Sequence, residues 1–350
     1  MLYQKENVHG GDVYQDPIDL DYSVNINPLG TPEAVRNAVR NAAARIECYP
    51  DPYCRKLVHA IAEHEQVPSD MVICGNGAAE LIYAFCRAAD PKKAVLMAPS
   101  FAEYELALKE SICEIRRYML RRDLGFQLEE GFLSFLEQER PDVLFLCNPN
   151  NPDGREIPEE LLFQILEQSK VLGIRILLDE CFADFSDHRI SAKGSLERFP
   201  QVFLLKAFTK NYAMAGVRLG YGLCSDPHFL ERMSDAVQPW NISVPAQEAG
   251  IAAFQDPGII ERARQIIRVQ RARLSEKLQE LGFLVYPSEA NYLLLQGPEG
   301  LDRTLRKRGI AIRNCENYPG LGPGWYRIAV KLEDENRRLI DTIRKVLEEA

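Results

Sequence analysis

Long apolar runs are missing from this sequence. The longest, such as Val143-Leu144-Phe145-Leu146-Cys147, have the length of a strand, so no segment is expected to span a membrane. A positive excess is missing too. Forty-two lysines and arginines stand against 51 aspartates and glutamates, a net charge of −9, which argues against a nucleic-acid partner. An anionic ligand therefore needs local basic groups to offset that field. Nine cysteines are scattered without a C-x-x-C pair, which implies reduced thiols, a cytoplasmic address and no zinc or other metal site. The polar N-terminus MLYQKENVHGGDVYQ lacks the apolar core of a signal peptide. Internal repeats and low-complexity linkers are absent as well. With 46% hydrophobic and 27% charged residues among 350, the composition is that of a soluble globular chain, long enough for one large domain and a smaller one.

What is present, from about residue 70 to 225, is an alternation of strands and helices. Strands are expected at Val72–Cys74, Ala94–Met97, Val143–Cys147, Arg175–Leu178, Val202–Leu205 and Leu219–Cys224. That pattern predicts an α/β fold with a mostly parallel sheet covered by helices on both faces. Earlier, Tyr22 to Gly30 reads as an extended segment ending in a turn, with Asn25 a turn-former. Thr31 is the expected N-cap of a helix with Pro32 at its first position. A second helix covers about 55–65. After Pro239-Trp240-Asn241-Ile242-Ser243 a long helix is expected, clearest over Arg262 to Leu281. Strands near Val285 and at 292–295, 311–313 and 326–330, with a last helix at about 333–348, predict a small α+β lobe completed by residues near the N-terminus.

In such sheets ligands bind outside the carboxyl ends of the strands. Gly77, Phe101, Asn151, Asp179 and Lys210 all fall at or just after such ends. Gly75-Asn76-Gly77-Ala78 lies between a strand and a helix, the geometry that aims backbone N–H groups at an anion. Lys210 can form a Schiff base with an aldehyde if its amine is kept neutral. Arg218, eight residues on, can clamp a phosphate with its planar fork. An aldehyde and a phosphate together describe pyridoxal phosphate (PLP).

The motifs GNGAAE (75–80), NPNNPDG (148–154), LLDECF (177–182) and TKNYAMAGVRLGY (209–221) resemble those of fold-type I PLP enzymes of the class I/II aminotransferase group, over essentially the whole chain. Within that group, HGG (9–11), YSVNINPLG (22–30), FAEYELAL (101–108), CEIRRY (113–118) and IRNCENYPGL (312–321) are most similar to the threonine-phosphate decarboxylases of cobalamin biosynthesis. Histidinol-phosphate aminotransferases share the fold and are the alternative. The resemblance implies an aspartate aminotransferase-like architecture. Residues 1–40 would form a segment packing on the small domain and active site, 41–245 the large PLP-binding domain, and 246–350 the small C-terminal domain.

The resemblance also implies roles. Lys210 would carry the cofactor and move protons. Asp179 would pair with the pyridinium nitrogen, Asn151 with the ring's phenolic oxygen, and Phe101 would stack on the ring. Gly77, Ala78, Thr209 and Arg218 would hold the phosphate, joined by Tyr49 from a neighbouring subunit, which implies a homodimer with shared sites. Arg313, Arg327, His9 and Asn27 would bind a small amino acid or amine carrying a phosphate. Three positions depart from the aminotransferase pattern: Phe182 replaces a tyrosine, Ala207 replaces a hydroxyl residue, and Asp153 occupies the turn where threonine is usual. Phe182 tilts the expectation towards decarboxylation of O-phospho-L-threonine to 1-amino-2-propanol phosphate. Transfer of an amino group to 2-oxoglutarate is the alternative, and a non-enzymatic PLP-fold module is disfavoured by the presence of Lys210.

Overall fold

The strand Val143–Cys147 is buried at all five positions, as befits a strand with helices on both sides. Its residues alternate between two cores. Leu144 and Leu146 pack with Ile176, Leu178 and Leu204, whereas Val143, Phe145 and Cys147 pack with Leu177, Phe203 and Leu205. This period of two separates what the strand ends present to each face. A computed structural model describes residues 8–110 and 112–349.

The strands are β1 (Leu20–Asp21), β2 (Val72–Gly75), β3 (Lys93–Ala98), β4 (Glu114–Met119), β5 (Val143–Cys147), β6 (Arg175–Asp179), β7 (Val202–Ala207), β8 (Gly220–Leu223), β9 (Leu284–Val285), β10 (Tyr292–Gln296), β11 (Ile310–Ala311), β12 (Arg313–Asn314) and β13 (Trp325–Ala329). Seven form one sheet in the order β2-β8-β7-β6-β5-β3-β4. The pairings among β3, β4, β5, β6 and β7 are parallel, and β8 is antiparallel to both β7 and β2. Because β8 returns beside β7, with Ala207 opposite Gly220, the loop carrying Lys210 and Arg218 stays at the sheet end where Asp179 and Cys147 also finish. A second, antiparallel sheet has the order β12-β13-β10-β9, and β1 pairs in parallel with β11. The fold is thus α/β, with a large mixed sheet flanked by helices and a smaller C-terminal α+β lobe.

Some local expectations shift. The first helix is Glu33–Ala42, and Thr31 does not cap it: its hydroxyl donates instead to the Ala213 carbonyl at 2.7 Å. The strand expected over 311–313 is split between β11 and β12, which pair with different partners. The edge strand β4 escapes the sequence pattern because Glu114, Arg116 and Arg117 face solvent. The segment after Ser243 holds two helices. Val244–Ala253 is capped by the Ser243 hydroxyl, and Ile259–Glu280 follows the break at Asp256-Pro257. No helix among the described residues is long and apolar enough to cross a membrane.

Candidate active site

At the carboxyl end of the large sheet lies a cavity of about 210 Å³. His9, Ala78, Phe101, Asn151, Asp179, Thr209, Lys210, Arg218, Arg313 and Arg327 all line it, although they span more than 300 positions of sequence.

Lys210 sits on the one-turn helix Phe208–Asn211 that follows β7. Lys210 is half-buried and lines the cavity. Burial of the amine, helped by the Arg327 and Arg218 guanidinium groups, lowers its pKa to about 8. A substantial neutral fraction therefore exists near physiological pH, which is what a nucleophilic amine needs. The amine lies 5.5 Å from the centre of the Phe182 ring, so no hydroxyl faces it from that position.

Asp179 ends β6 and is anchored on both oxygens. The Tyr104 hydroxyl donates to Oδ2 at 2.7 Å, and the Cys181 N–H donates to Oδ1 at 2.9 Å. The sequence motifs alone do not single out Tyr104. Its signal was the spacing of three residues from Phe101 at the start of the helix Ala102–Leu108, which puts both on one side.

Gly77 precedes the helix Ala78–Ala89 with φ +79°, and a Cβ there would lie 2.3 Å from an Arg218 nitrogen. Only glycine allows that approach. Gly77 thus forms the floor under Arg218 while Ala78 faces the cavity, so one end of the site combines a guanidinium with a helix N-terminus. Ala207 lines the cavity with a methyl group only.

Arg327 and Arg313 are directly opposed cross-strand neighbours on β13 and β12. Both are buried, and neither makes an ion pair with a carboxylate among the described residues. Arg327 donates from Nη1 to Asn151 Oδ1 at 2.6 Å and from Nη2 to the Ser23 carbonyl at 2.7 Å. Its Nε is buried without an acceptor among the described residues. With its oxygen so engaged, Asn151 offers the cavity its amide N–H groups. Arg313 donates to the Val8 carbonyl at 2.6 Å and to Asn317 Oδ1 at 2.8 Å, with its guanidinium 5.3 Å from the Tyr318 ring centre. His9 Nε2 meets Glu103 Oε2 at 2.6 Å, and this contact holds the Glu103 carboxyl below the usual carboxylate range. The His9 and Phe101 ring centres are 5.4 Å apart.

Asn27 departs from the expectation, whereas Tyr49, expected at a neighbouring subunit's site, does not line this chain's own cavity. Asn27 is outside the cavity. Its amide donates to the Asn211 carbonyl at 2.8 Å and accepts from the Leu29 N–H at 2.9 Å, because the Asn27-Pro28 turn directs it at the lysine helix. Asn25, expected only to shape a turn, lines the cavity instead, with a buried Oδ1 that has no donor among the described residues. Tyr49 is 81% exposed and packs against Trp240 at 4.9 Å, away from this chain's own cavity. Asp153, unexplained by sequence, is fully buried in its turn, accepting from the Arg155 N–H at 2.8 Å and contacting the Asn150 amide. Burial pushes its pKa up to about 7.

The donor set has an order. A guanidinium and a helix N-terminus suit a phosphate dianion, a doubly anchored carboxylate suits a ring N–H, an amide suits a phenolate, and a partly neutral lysine suits an aldehyde. Pyridoxal phosphate carries these four groups on one ring, so the residues present fit it.

The family model described as aminotransferase class I and II matches residues 17–343. The threonine-phosphate decarboxylase of Salmonella typhimurium is 41% identical over 333 residues, covering 94% of this chain and 91% of the relative. Among solved structures, the histidinol-phosphate aminotransferase of Clostridium acetobutylicum superposes with a TM-score of 0.87 at 30% identity, covering 95% of this chain and all of that one. A Thermus thermophilus aspartate aminotransferase double mutant superposes with a TM-score of 0.80 at 21% identity, over 94% of this chain and 92% of its own, which shows the fold alone.

Proposed function

This chain belongs to the class I and II aminotransferase family, and we propose that within it the protein is a PLP-dependent decarboxylase that converts O-phospho-L-threonine to 1-amino-2-propanol phosphate and CO2. At the coarser level it is a fold-type I PLP-dependent enzyme for a phosphorylated amino-acid or amine substrate, of decarboxylase or aminotransferase type. One observation carries the finer reading. Arg313 and Arg327 are two buried like charges placed directly opposite each other, an arrangement that repels itself unless anions intervene. A short substrate with a carboxylate and a phosphate supplies two. The 41% identity to a threonine-phosphate decarboxylase and the ring of Phe182 in place of a hydroxyl support the same choice.

In this reading Arg218, Thr209 and the Ala78 end of its helix hold the cofactor phosphate. Asp179, fixed by Tyr104 and Cys181, keeps a proton on the ring nitrogen. Asn151 binds the phenolic oxygen, and Phe101 covers the ring. Bound PLP supplies an electron sink for the pair left on Cα when CO2 departs. Arg327 orients the carboxylate for that departure, and Arg313 with His9 takes the phosphate. Lys210, poised near neutrality, delivers the proton that replaces CO2 at Cα. Exposed Tyr49, Tyr53 and Trp240 support a homodimer in which Tyr49 reaches the partner's cofactor phosphate.

Incubation of the purified protein with PLP and O-phospho-L-threonine tests the reading, with CO2 and the amine product measured in parallel. Stoichiometric release of both is expected. Amino-group transfer from histidinol phosphate to 2-oxoglutarate, without CO2 from phosphothreonine, assigns the transaminase reading instead.

A further inference from the structure

The helix bearing Lys210 is only four residues long, Phe208–Asn211. A helix end leaves its last carbonyls without partners inside the helix, so a one-turn helix cannot hold its own shape. Among the described residues, the Phe208 carbonyl alone is taken locally, by the Tyr212 N–H at 3.1 Å. Those of Lys210, Asn211 and Ala213 are all satisfied by one short segment distant in sequence. The Asn27 backbone N–H donates to the Lys210 carbonyl at 2.9 Å, the Asn27 amide to the Asn211 carbonyl at 2.8 Å, and the Thr31 hydroxyl to the Ala213 carbonyl at 2.7 Å. From the other side, Asn211 donates to Asp184 Oδ2 at 2.5 Å, and Asp184 is held by Lys206 Nζ at 3.2 Å and by Arg264 on its carbonyl at 2.9 Å. Asn27 is itself 1% exposed, and both ends of its amide are engaged. Two residues upstream the same segment lines the cavity at Asn25, and the Ser23 carbonyl receives Arg327.

We propose that Asn27 is a positioning residue: acting through the main chain of Lys210 and Asn211, it fixes where the lysine amine stands relative to cofactor and substrate, and ties that position to the cavity-lining segment Ser23–Asn25. The inference rests on the reading of Lys210 as the cofactor-bearing lysine. Asn27 contacts neither Arg327 nor the Ser23 carbonyl that holds it, so its loss should act first on proton transfer, lowering kcat while KM stays close to the wild-type value. Small misplacements of a reacting group have large kinetic effects.

The test compares full-length wild type with Asn27→Ala and Asn27→Asp. Aspartate keeps the acceptor for the Leu29 N–H, and so the turn, but sets an oxygen against the Asn211 carbonyl. Borohydride labelling with peptide mapping, the pH midpoint of PLP absorbance, PLP affinity, and kcat and KM for CO2 release are measured on each. Both variants are expected to bind PLP and to keep the wild-type KM, with kcat lower by about an order of magnitude and the absorbance midpoint displaced. Thr31→Val, which removes a neighbouring bond of the same bracket, is expected to shift the midpoint in the same direction by less, and it keeps the idea testable if the Asn27 variants fail to fold. A wild-type midpoint and kcat in Asn27→Asp overturn the inference, as does a loss confined to KM. Absence of label on Lys210 in the wild type sinks the functional reading beneath it. A labelled wild type with unshifted variants sinks this inference alone.

Discussion

Replacing Arg327 by alanine separates three effects that the geometry ties to one guanidinium. First, if Arg327 binds the substrate carboxylate as proposed, the variant loses a charge-assisted contact worth about 1.5–3 kcal/mol, so kcat/KM for O-phospho-L-threonine should fall by roughly one to two orders of magnitude. Second, Asn151 Oδ1 and the Ser23 carbonyl lose their donors. Each buried acceptor so orphaned destabilises by about 1–3 kcal/mol, partly offset because the repulsion with Arg313 disappears. Stability should therefore drop less than the two losses suggest, and catalysis more than stability alone explains. Third, Arg327 is one of the charges that depress Lys210, so the lysine midpoint should rise from about 8 towards its ordinary value. Arg327→Lys is the control. It keeps the positive charge near Lys210 but lacks the fork, so the midpoint should stay low while kcat/KM still falls. Steady-state CO2 release, thermal melts and the pH dependence of covalent PLP capture by the apoenzyme, in which the Lys210 amine is still free to titrate, measure the three effects. Kinetics unchanged within twofold in Arg327→Ala, or an identical lysine midpoint in the alanine and lysine variants, would refute the reasoning.

Other outcomes follow from single residues. With a folded-state pKa lowered to about 8, Lys210 binds fewer protons in the folded than in the unfolded apoenzyme between there and its ordinary 10.5, so its contribution to stability rises with pH across that window. The rate of covalent PLP capture should likewise climb through about pH 8, and a flat profile by stopped-flow absorbance would contradict the burial argument. Ala207→Ser places a hydroxyl on the cavity wall; if that wall faces the phosphate as proposed, one hydrogen bond of about 0.5–1.5 kcal/mol should tighten PLP binding by a few-fold in a fluorescence titration. Unchanged affinity would mean that position 207 does not face the phosphate. Mixing inactive Tyr49→Ala and Lys210→Ala proteins should recover activity, because a hybrid dimer holds one site with both residues. No recovery on mixing, with subunit exchange verified, would remove Tyr49 from the partner's site.

Much of the site was legible before any coordinates because its residues sit where hydrophobic strands stop. The runs ending at Cys147, Asp179 and Ala207 are each a strand's length, and the polar residue after a buried run must emerge at the sheet edge. Asp179, Asn151 and Lys210 are readable from that rule, and Gly77 from the turn before a helix. Local chemistry also determined the α/β class, since the alternation of short apolar runs with helical spacing leaves few ways to bury both faces. What only the tertiary structure decided concerns partners that lie on different elements, in one case at opposite ends of the chain. Arg313 and Arg327 become a facing pair through the register of β12 with β13, and Arg327 meets Ser23 from the other end of the chain. Tyr104 reaches Asp179, and His9 reaches Glu103. The exchange of Asn25 for Asn27 shows the limit most clearly. The two are alike and two positions apart, and the proline after Asn27 announces a turn without saying which of the two amides faces the cavity. The choice is made by the packing of an irregular segment, whose donors are drawn to the unpaired carbonyls of the lysine helix. Irregular backbone has no period to announce which side chain faces inward, so its inward face is set by whatever unsatisfied groups the rest of the fold brings against it.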